Sequence, residues 1–303
     1  MKLGITYLYT ITTYGYPPKV EDDYKALADI EAMGFHYLEM EALGLEHAEH
    51  VWANRAEFKS RLDGHGIHVH NFCAVDPDLV SLDDKKRDAA VERFKRTSEL
   101  GAFLGAETIH LASYAPPIEY VSGRPYALGE DYAIQDKMTV RIPDGFDWAR
   151  VWAALVDSSR RCAEIVKGLD KIVIMEPRVG EIICSVDSEL RLIQDVGMDN
   201  FKANFDTGHF SAQRENIPLA LMKLAGNFAN IHISDNDLVT TDHLAVGDGV
   251  IDWHEFFRIL KKMNYTGYLG LDLSNSPTYK DNLLRSVQYI KDVCKQVGVE
   301  IEV

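Results

Sequence analysis

Residues 171–206 read KIVIMEPRVGEIICSVDSELRLIQDVGMDNFKANFD, and this stretch is the clearest indication of the fold class. A short apolar run, KIVIME, precedes an amphipathic segment over Ser188–Asp195, then Gly197 and a second apolar run, FKANFD. Because glycine readily adopts the left-handed conformation that ends a helix, Gly197 marks a helix stop. The stretch therefore predicts a strand, a helix and a second strand parallel to the first.

The same alternation extends over the whole chain. The other strand-like runs are KLGITYL, FHYLEME, IHVHNFCAV, TIHLAS, ANIHIS and GYLGLDLS, which gives eight in all. The other clear helical segments are Val20–Met33, Lys85–Leu104, Trp148–Val166, Trp253–Met263 and Asn282–Val297. Eight such units predict a single α/β domain over residues 1–303, a closed (β/α)8 TIM barrel. The alternative is a doubly wound open sheet, but the Gly-rich phosphate loop that usually follows its first strand is missing after KLGITYL.

One connection is much longer than the others. Residues 115–145 follow the fourth strand, and their prolines interrupt any helix: Pro116, Pro117, Pro125 and Pro143. Long loops inside compact domains are usually functional, and this loop should lie at the C-terminal face of the barrel, where active sites are found. We predict either a lid over the site or an arm that packs on another subunit.

The composition excludes several classes of protein. The chain has 32 basic and 47 acidic side chains, a formal charge of −15, and 46% hydrophobic residues. This is typical of a globular protein, and the acidic balance disfavours nucleic-acid binding, which depends on Lys and Arg. The N-terminal MKLGITYLYTITTYGY alternates like a strand rather than a signal peptide, and no apolar run reaches the roughly 20 residues that span a bilayer. We predict a cytoplasmic protein with no membrane or nucleic-acid partner.

Charged side chains end four consecutive predicted strands. These residues are Glu176, Asp206, His232 and Asp272. Since the carboxyl ends of parallel strands meet at one rim, the three carboxylates should converge, and without a cation they would repel one another. A divalent ion bound by these four residues removes that cost, and oxygen ligands with one imidazole suit Mn²⁺, Mg²⁺ or Co²⁺ better than a structural Zn²⁺.

The chain resembles the xylose isomerase-like TIM barrel superfamily, which includes sugar isomerases, ketose 3-epimerases, inosose dehydratases and endonuclease IV. The resemblance covers nearly the whole chain and is densest over Lys171–Ser274. Its motifs are Glu176 on strand five, D-x-x-H as Asp206 and His209, H-x-x-D as His232 and Asp235, H-x-x-x-G-x-G as His243, Gly247 and Gly249, and Asp272 on strand eight. The chain departs from the family on strand eight, where Asp272 replaces the usual Glu.

The resemblance implies a site with one divalent ion, most simply Mn²⁺, although Mg²⁺, Co²⁺ and Zn²⁺ also fit. It implies that Glu176, Asp206, His232 and Asp272 are the metal ligands. It further implies that Glu176 and Asp272 move the proton and that His209 polarises the substrate oxygens. We predict substrate contacts from the following residues near the mouth: His70, His110, Arg178, Glu41 and His243.

The resulting prediction is a metal-dependent sugar isomerase or epimerase that abstracts a proton next to a carbonyl. The alternative is a lyase on a keto-sugar, either a dehydratase or a subunit that cleaves a 3-keto-glycoside together with a small partner chain. The segment SDNDLVTTDH lacks the Arg that the epimerases carry after the strand-seven His, and this weakens simple ketose epimerisation. The sequence leaves the oligomeric state open, with a homo-oligomer as one alternative. An endonuclease IV-like nuclease and a non-enzymatic sugar-binding barrel are minor alternatives.

Overall fold

A computed structural model describes residues 1–122, 139–274 and 276–303. The strands are β1 (Lys2–Ile5), β2 (Tyr37–Leu43), β3 (His68–Val75), β4 (Thr108–Ala112), β5 (Glu119–Ser122), β6 (Thr139–Arg141), β7 (Ile172–Glu176), β8 (Phe201–Asp206), β9 (Phe228–Ile233) and β10 (Tyr268–Leu271). All except β5 and β6 form a closed barrel in the order β1-β10-β9-β8-β7-β4-β3-β2, and every pairing in it is parallel. The predicted (β/α)8 barrel is confirmed.

Helices cover the outside of the barrel. They are α1 (Leu8–Tyr14), α2 (Val20–Ala32), α3 (Gly44–Ala53), α4 (Arg55–Gly64), α5 (Asp84–Leu104), α6 (Trp148–Lys167), α7 (Val186–Val196), α8 (Thr207–Ala212), α9 (Ile217–Lys223), α10 (Trp253–Lys262) and α11 (Tyr279–Val297). Four helices begin at a residue whose side chain accepts a hydrogen bond from a backbone N–H group of the first turn. These residues are Asp83 for α5, Asp147 for α6, Ser185 for α7 and Asp252 for α10. None of the described helices is both long and apolar enough to cross a membrane.

The apolar core lies between the strands and the helices. Buried side chains such as Phe94 on α5, Phe205 on β8 and Phe256 on α10 are at most 1% exposed. The barrel interior is instead partly polar, with Asn204 and Asn230 bonded to each other inside the sheet. Because the apolar packing is complete around the outside, the polar side chains at the C-terminal ends of the strands are held on a rigid frame.

The long connection after β4 contains a two-stranded antiparallel hairpin. β5 and β6 pair with each other, and Arg141 contacts Glu119 at 2.9 Å. Residues 123–138, which form the middle of the predicted lid or oligomer arm over 115–145, lie outside the described residues. The lid and the arm therefore both stay predictions.

Candidate metal-binding active site

Three of the four predicted ligands meet at the C-terminal rim of the barrel. Glu176 and Asp206 are the last residues of β7 and β8, and His232 is the next to last residue of β9. The His232 Nδ1 atom lies 2.7 Å from Glu176 Oε1 and 3.6 Å from Asp206 Oδ2. One ligand atom from each residue lies within 4.8 Å of the other two. We call these three residues the ligand triad.

The ligand triad is buried and carries excess negative charge. Burial raises the pKa of a carboxyl group, but Arg178 and His110 hold the pKa of Glu176 well below its usual range. Despite burial, neighbouring histidines also lower the pKa of Asp206. Both carboxyl groups are therefore ionised at neutral pH. Although burial opposes it, these carboxylates and Glu39 raise the pKa of His232 well above its usual range.

The donor atoms of the triad fit a divalent metal ion. Asp206 Oδ2 and His232 Nδ1 are buried, and neither has a partner with hydrogen-bonding geometry. Two carboxylate oxygens and one imidazole nitrogen are suitable ligands for Mn²⁺, Mg²⁺, Co²⁺ or Zn²⁺.

The fourth predicted ligand, Asp272, has a different neighbour. It follows β10 and is 7% exposed, but its Oδ2 atom lies 3.0 Å from Nδ1 of His243. Within the described parts of the chain, Asp272 does not belong to any compact group of ligand atoms. An aspartate is one methylene shorter than the glutamate of the family pattern, which is the physical reason that its carboxylate falls short of the triad.

His209 and His243 form a pair beside the triad. Their ring centroids are 4.5 Å apart, and the ring planes meet at 72°. One ring nitrogen of each histidine lies within 4.8 Å of a carboxylate oxygen of Asp206. Although burial opposes it, the Asp206 and Asp272 carboxylates raise the pKa of His243 to about 9, whereas burial lowers the pKa of His209 to about 4. One histidine is therefore cationic at neutral pH and the other is neutral.

The glycine in the D-x-x-H motif allows this close packing. A Cβ atom on Gly208 would lie 2.4 Å from Ser234 Oγ and 2.8 Å from a ring carbon of His243. Any side chain at this position would displace His243, so the motif needs glycine for steric reasons.

The aspartate of the H-x-x-D motif has a structural role. Asp235 accepts hydrogen bonds from Gly247 N, Ile251 N and Trp253 Nε1, at 2.9, 3.1 and 2.8 Å. A Cβ atom on Gly249 would lie 2.2 Å from Asp235 Oδ1. Asp235 therefore fixes the segment that contains His243 and the two glycines of the H-x-x-x-G-x-G motif.

Arg178 and His110 surround the outer oxygen of Glu176. The Nε atom of Arg178 donates a short hydrogen bond to Glu176 Oε2, and His110 Nε2 lies 3.5 Å from the same oxygen. Asn204 Nδ2 donates to the other oxygen, Glu176 Oε1, at 3.0 Å. Although burial opposes it, Glu176 and Glu39 raise the pKa of His110 to about 9.

Two further carboxyl groups lie close to Arg178. Burial and the charge of Glu39 raise the pKa of Glu41 to about 8, with Arg178 opposing the shift. Burial likewise raises the pKa of Glu181 to about 7, and its Oε1 atom lies 3.9 Å from Arg178 Nη1. Both carboxyl groups therefore hold their protons over a large part of the neutral range.

The structure places His70 away from this rim. Its ring stacks on Tyr268 at a centroid distance of 4.5 Å and an angle of 9°. Tyr268 is the first residue of β10, and its hydroxyl bonds to Glu107 and Lys2 near the starts of β4 and β1. These contacts lie toward the N-terminal ends of the strands, so they give no support to the predicted substrate contact of His70.

Sequence reasoning did not assign a role to several buried polar residues of the site. They are Asn71 on β3, Asn204 on β8 and Glu181 after β7. For Glu39 on β2 the sequence offered two roles, contact with substrate hydroxyls or pairing with a basic residue of a neighbouring element. The available signal was the period-two alternation of strands, which marks polar residues at inward positions. Alternation alone does not show which of these residues contact one another.

Comparisons with known proteins identify a family and several relatives. Residues 27–293 match the family described as "Xylose isomerase-like TIM barrel". The hydroxypyruvate isomerase of Escherichia coli K12 is 24% identical over 148 residues, which cover 47% of this chain and 56% of that protein. An inosose dehydratase of Clostridium beijerinckii is 21% identical over 185 residues, 54% of this chain and 62% of that protein.

The fold is also that of known sugar epimerases. The crystal structure of D-psicose 3-epimerase in the presence of D-fructose superposes with a TM-score of 0.76 at 20% identity, covering 97% of this chain and 99% of that one. This likeness shows the fold, and the alignments span about half the length of the curated relatives. Since the family match covers most of the sequence, the chain belongs to the xylose isomerase-like TIM barrel family.

Proposed function

We propose that this protein is a divalent-metal-dependent isomerase or epimerase of a small sugar or keto-sugar. The observation that carries this proposal is the ligand triad, in which one ligand atom from each of Glu176, Asp206 and His232 lies within 4.8 Å of the other two. The relatives named hydroxypyruvate isomerase and D-psicose 3-epimerase support the reaction class. We propose Mn²⁺ as the ion, with Mg²⁺, Co²⁺ and Zn²⁺ as alternatives.

In the proposed mechanism, Glu176, Asp206 and His232 hold the ion, and Asp272 is the fourth ligand candidate. When bound, the ion supplies Lewis-acid polarisation of the substrate carbonyl. Glu176 and Asp272 close strands that are separated in the barrel by β8 and β9, so they approach a substrate above those two strands from opposite sides. We assign them the removal and return of the proton at the carbon next to the carbonyl.

The histidine pair would act on the substrate oxygens. His243 donates from Nδ1 to Asp272 at 3.0 Å, which holds that carboxylate in place. His209 is neutral near pH 7 because burial lowers its pKa to about 4. Its neutral ring carries one N–H group and one lone pair, so it can act as a donor or as an acceptor of hydrogen bonds.

The experiment that tests this function is deuterium exchange followed by NMR. The metal-stripped protein and the protein loaded with Mn²⁺ are incubated in D₂O with a panel of ketoses, inososes and 3-keto-glycosides, and the protein and metal are removed before spectra are recorded. We expect metal-dependent deuterium incorporation next to a carbonyl in at least one compound. Exchange that is equal in the metal-stripped sample would contradict the proposal.

Dehydration of a keto-sugar is the second candidate, and Glu41 favours it. Loss of a β-hydroxyl group requires a proton for the leaving oxygen, and burial keeps Glu41 protonated up to about pH 8. The similarity to an inosose dehydratase supports the same candidate. Elimination would use the same removal of a proton next to the carbonyl as epimerisation.

Replacing Glu41 with Gln should separate the two reactions. If the protein is a dehydratase, Glu41→Gln should reduce product formation by roughly 10²-fold or more while deuterium exchange continues, because only the acid that protonates the leaving group is lost. For the same reason, dehydration by the wild-type protein should decline as the pH rises through about 8, where Glu41 loses its proton. The measurement is exchange and elimination in the same NMR samples between pH 6 and 9.

Glu181→Gln is the matched control, since Glu181 is also a buried carboxyl group with a raised pKa close to Arg178. Elimination that survives Glu41→Gln at the wild-type rate would exclude Glu41 as the acid. A product that is only an epimer or an isomer would exclude dehydration.

A further inference from the structure

We infer that Glu39 is a positioning residue for the metal ligand His232. The inference rests on the proposed metal site. It assigns a specific task to a buried carboxylate on β2 that is not part of the ligand triad. Glu39 is 2% exposed, so its charge is retained only because it is well paired.

The two ring nitrogens of His232 have separate partners. Nε2 lies 2.8 Å from Glu39 Oε2, while Nδ1 lies 2.7 Å from Glu176 Oε1 and 3.6 Å from Asp206 Oδ2. One edge of the ring therefore faces the two carboxylates of the ligand triad, and the opposite edge faces Glu39.

Glu39 is itself fixed by neighbouring strands. Asn71 Nδ2 donates a short hydrogen bond to Glu39 Oε2, and Asn71 Oδ1 accepts from Thr108 Oγ1 at 2.7 Å. The strand register creates this contact: Leu38 pairs with Val69, but after an irregularity Glu39 pairs with Asn71. This shift brings an amide rather than the His70 imidazole opposite Glu39.

This arrangement determines which nitrogen of His232 is available to a metal. A neutral imidazole has one N–H group and one lone pair, and the hydrogen bond made by one nitrogen sets the role of the other. Glu39 has only acceptor oxygens when ionised, so it requires a proton on Nε2. The lone pair is then on Nδ1, the atom that faces Glu176 and Asp206. A carboxylate in this position also increases the basicity of the ligand and prevents rotation of the ring.

Glu39→Gln tests the inference through metal affinity. Mn²⁺ binding to the metal-stripped protein is measured by titration calorimetry for the wild type, Glu39→Gln and Glu107→Gln. We expect one ion per wild-type chain and a Kd that rises roughly 10- to 100-fold in Glu39→Gln, as is typical when the partner of a ligating histidine is changed. Glu107→Gln is the matched control, because it makes the same substitution at a carboxylate near the start of β4, at the opposite end of the barrel, and its Kd should stay near the wild-type value.

A purely structural role would give a different result. It would lower the unfolding temperature of metal-stripped Glu39→Gln but would leave its Mn²⁺ Kd equal to that of Glu107→Gln, which would overturn the inference. If Glu39→Gln does not fold, Asn71→Ala replaces it, because this change releases Glu39 without removing its charge. Asn71→Ala should weaken Mn²⁺ binding by roughly tenfold, and an unchanged Kd would again overturn the inference.

Two further outcomes are distinguishable. A wild-type chain that binds no Mn²⁺, Mg²⁺, Co²⁺ or Zn²⁺ would remove the proposed metal site, and the inference with it. A wild-type chain that binds two ions, of which Glu39→Gln loses one, would show that Glu39 is a ligand of a second ion shared with His110 and His232. That result would overturn the positioning role while leaving the proposed function intact.

Discussion

Replacing Asp206 with Asn is expected to abolish metal binding and activity while leaving the barrel folded. The Oδ2 atom of Asp206 lies 3.6 Å from His232 Nδ1 and has no hydrogen-bonding partner, so it is free to bind an ion. An amide removes the negative charge and one of the two carboxylates of the triad. We expect the Mn²⁺ affinity to fall by more than about 100-fold, beyond the effect typical of residues that only support a ligand.

The fold should survive because Asp206 has a second task that asparagine also performs. Its Oδ1 atom accepts the backbone N–H of His209 at 2.7 Å and starts α8. Asn and Asp are nearly equivalent at the start of a helix. The measurement is Mn²⁺ titration calorimetry together with urea unfolding of the metal-stripped protein.

The control for this prediction is Asp147→Asn, which makes the same change at the start of α6, where Asp147 accepts the backbone N–H of Ala149. Both variants should unfold within about 1 kcal/mol of the wild type, and only Asp206→Asn should lose the ion. Full Mn²⁺ occupancy in Asp206→Asn would remove Asp206 from the ligand set.

The barrel was predictable because its signals are local. Runs such as KIVIME and FKANFD lie on β7 and β8, and Gly197 ends the helix between them with a left-handed backbone at φ 65°. Other features depend on contacts that are distant in sequence. The hairpin of β5 and β6 joins Glu119 to Arg141, and a pairing over that distance leaves no local pattern.

The convergence of Glu176, Asp206 and His232 was predictable from the barrel itself, since parallel strands bring their carboxyl ends together. The neighbours of each side chain were not. Asp272 contacts His243, a residue on a different connection. Glu39 on β2 faces His232 on β9, and it is held by Asn71, which the register shift between β2 and β3 brings opposite it. Alternation places both residues on the inner side of the barrel, but the partner depends on tertiary geometry.

Glu176→Gln is expected to reduce turnover far more than substrate affinity. Glu176 accepts hydrogen bonds from Asn204 on one oxygen and from Arg178 on the other. Glutamine has the same shape, and its single oxygen keeps one of these two hydrogen bonds. It cannot accept a proton from carbon, and loss of a positioned acid or base typically costs roughly 10²–10⁴-fold in rate. Because Glu176 is also a proposed ligand, turnover and KM must be measured at saturating Mn²⁺, with the bound metal determined in the same samples.

Glu107→Gln is the matched control, since Glu107 lies just before β4, at the opposite end of the barrel, and contacts His68 and Tyr268. Turnover should be near the wild-type value in Glu107→Gln and should fall in Glu176→Gln even when the metal site is full. Deuterium exchange into the substrate should also fall in Glu176→Gln, because removal of the proton needs the Glu176 carboxylate as base. Wild-type turnover in metal-saturated Glu176→Gln would exclude proton transfer by Glu176, and Asp272 would then be the remaining carboxylate assigned to that step.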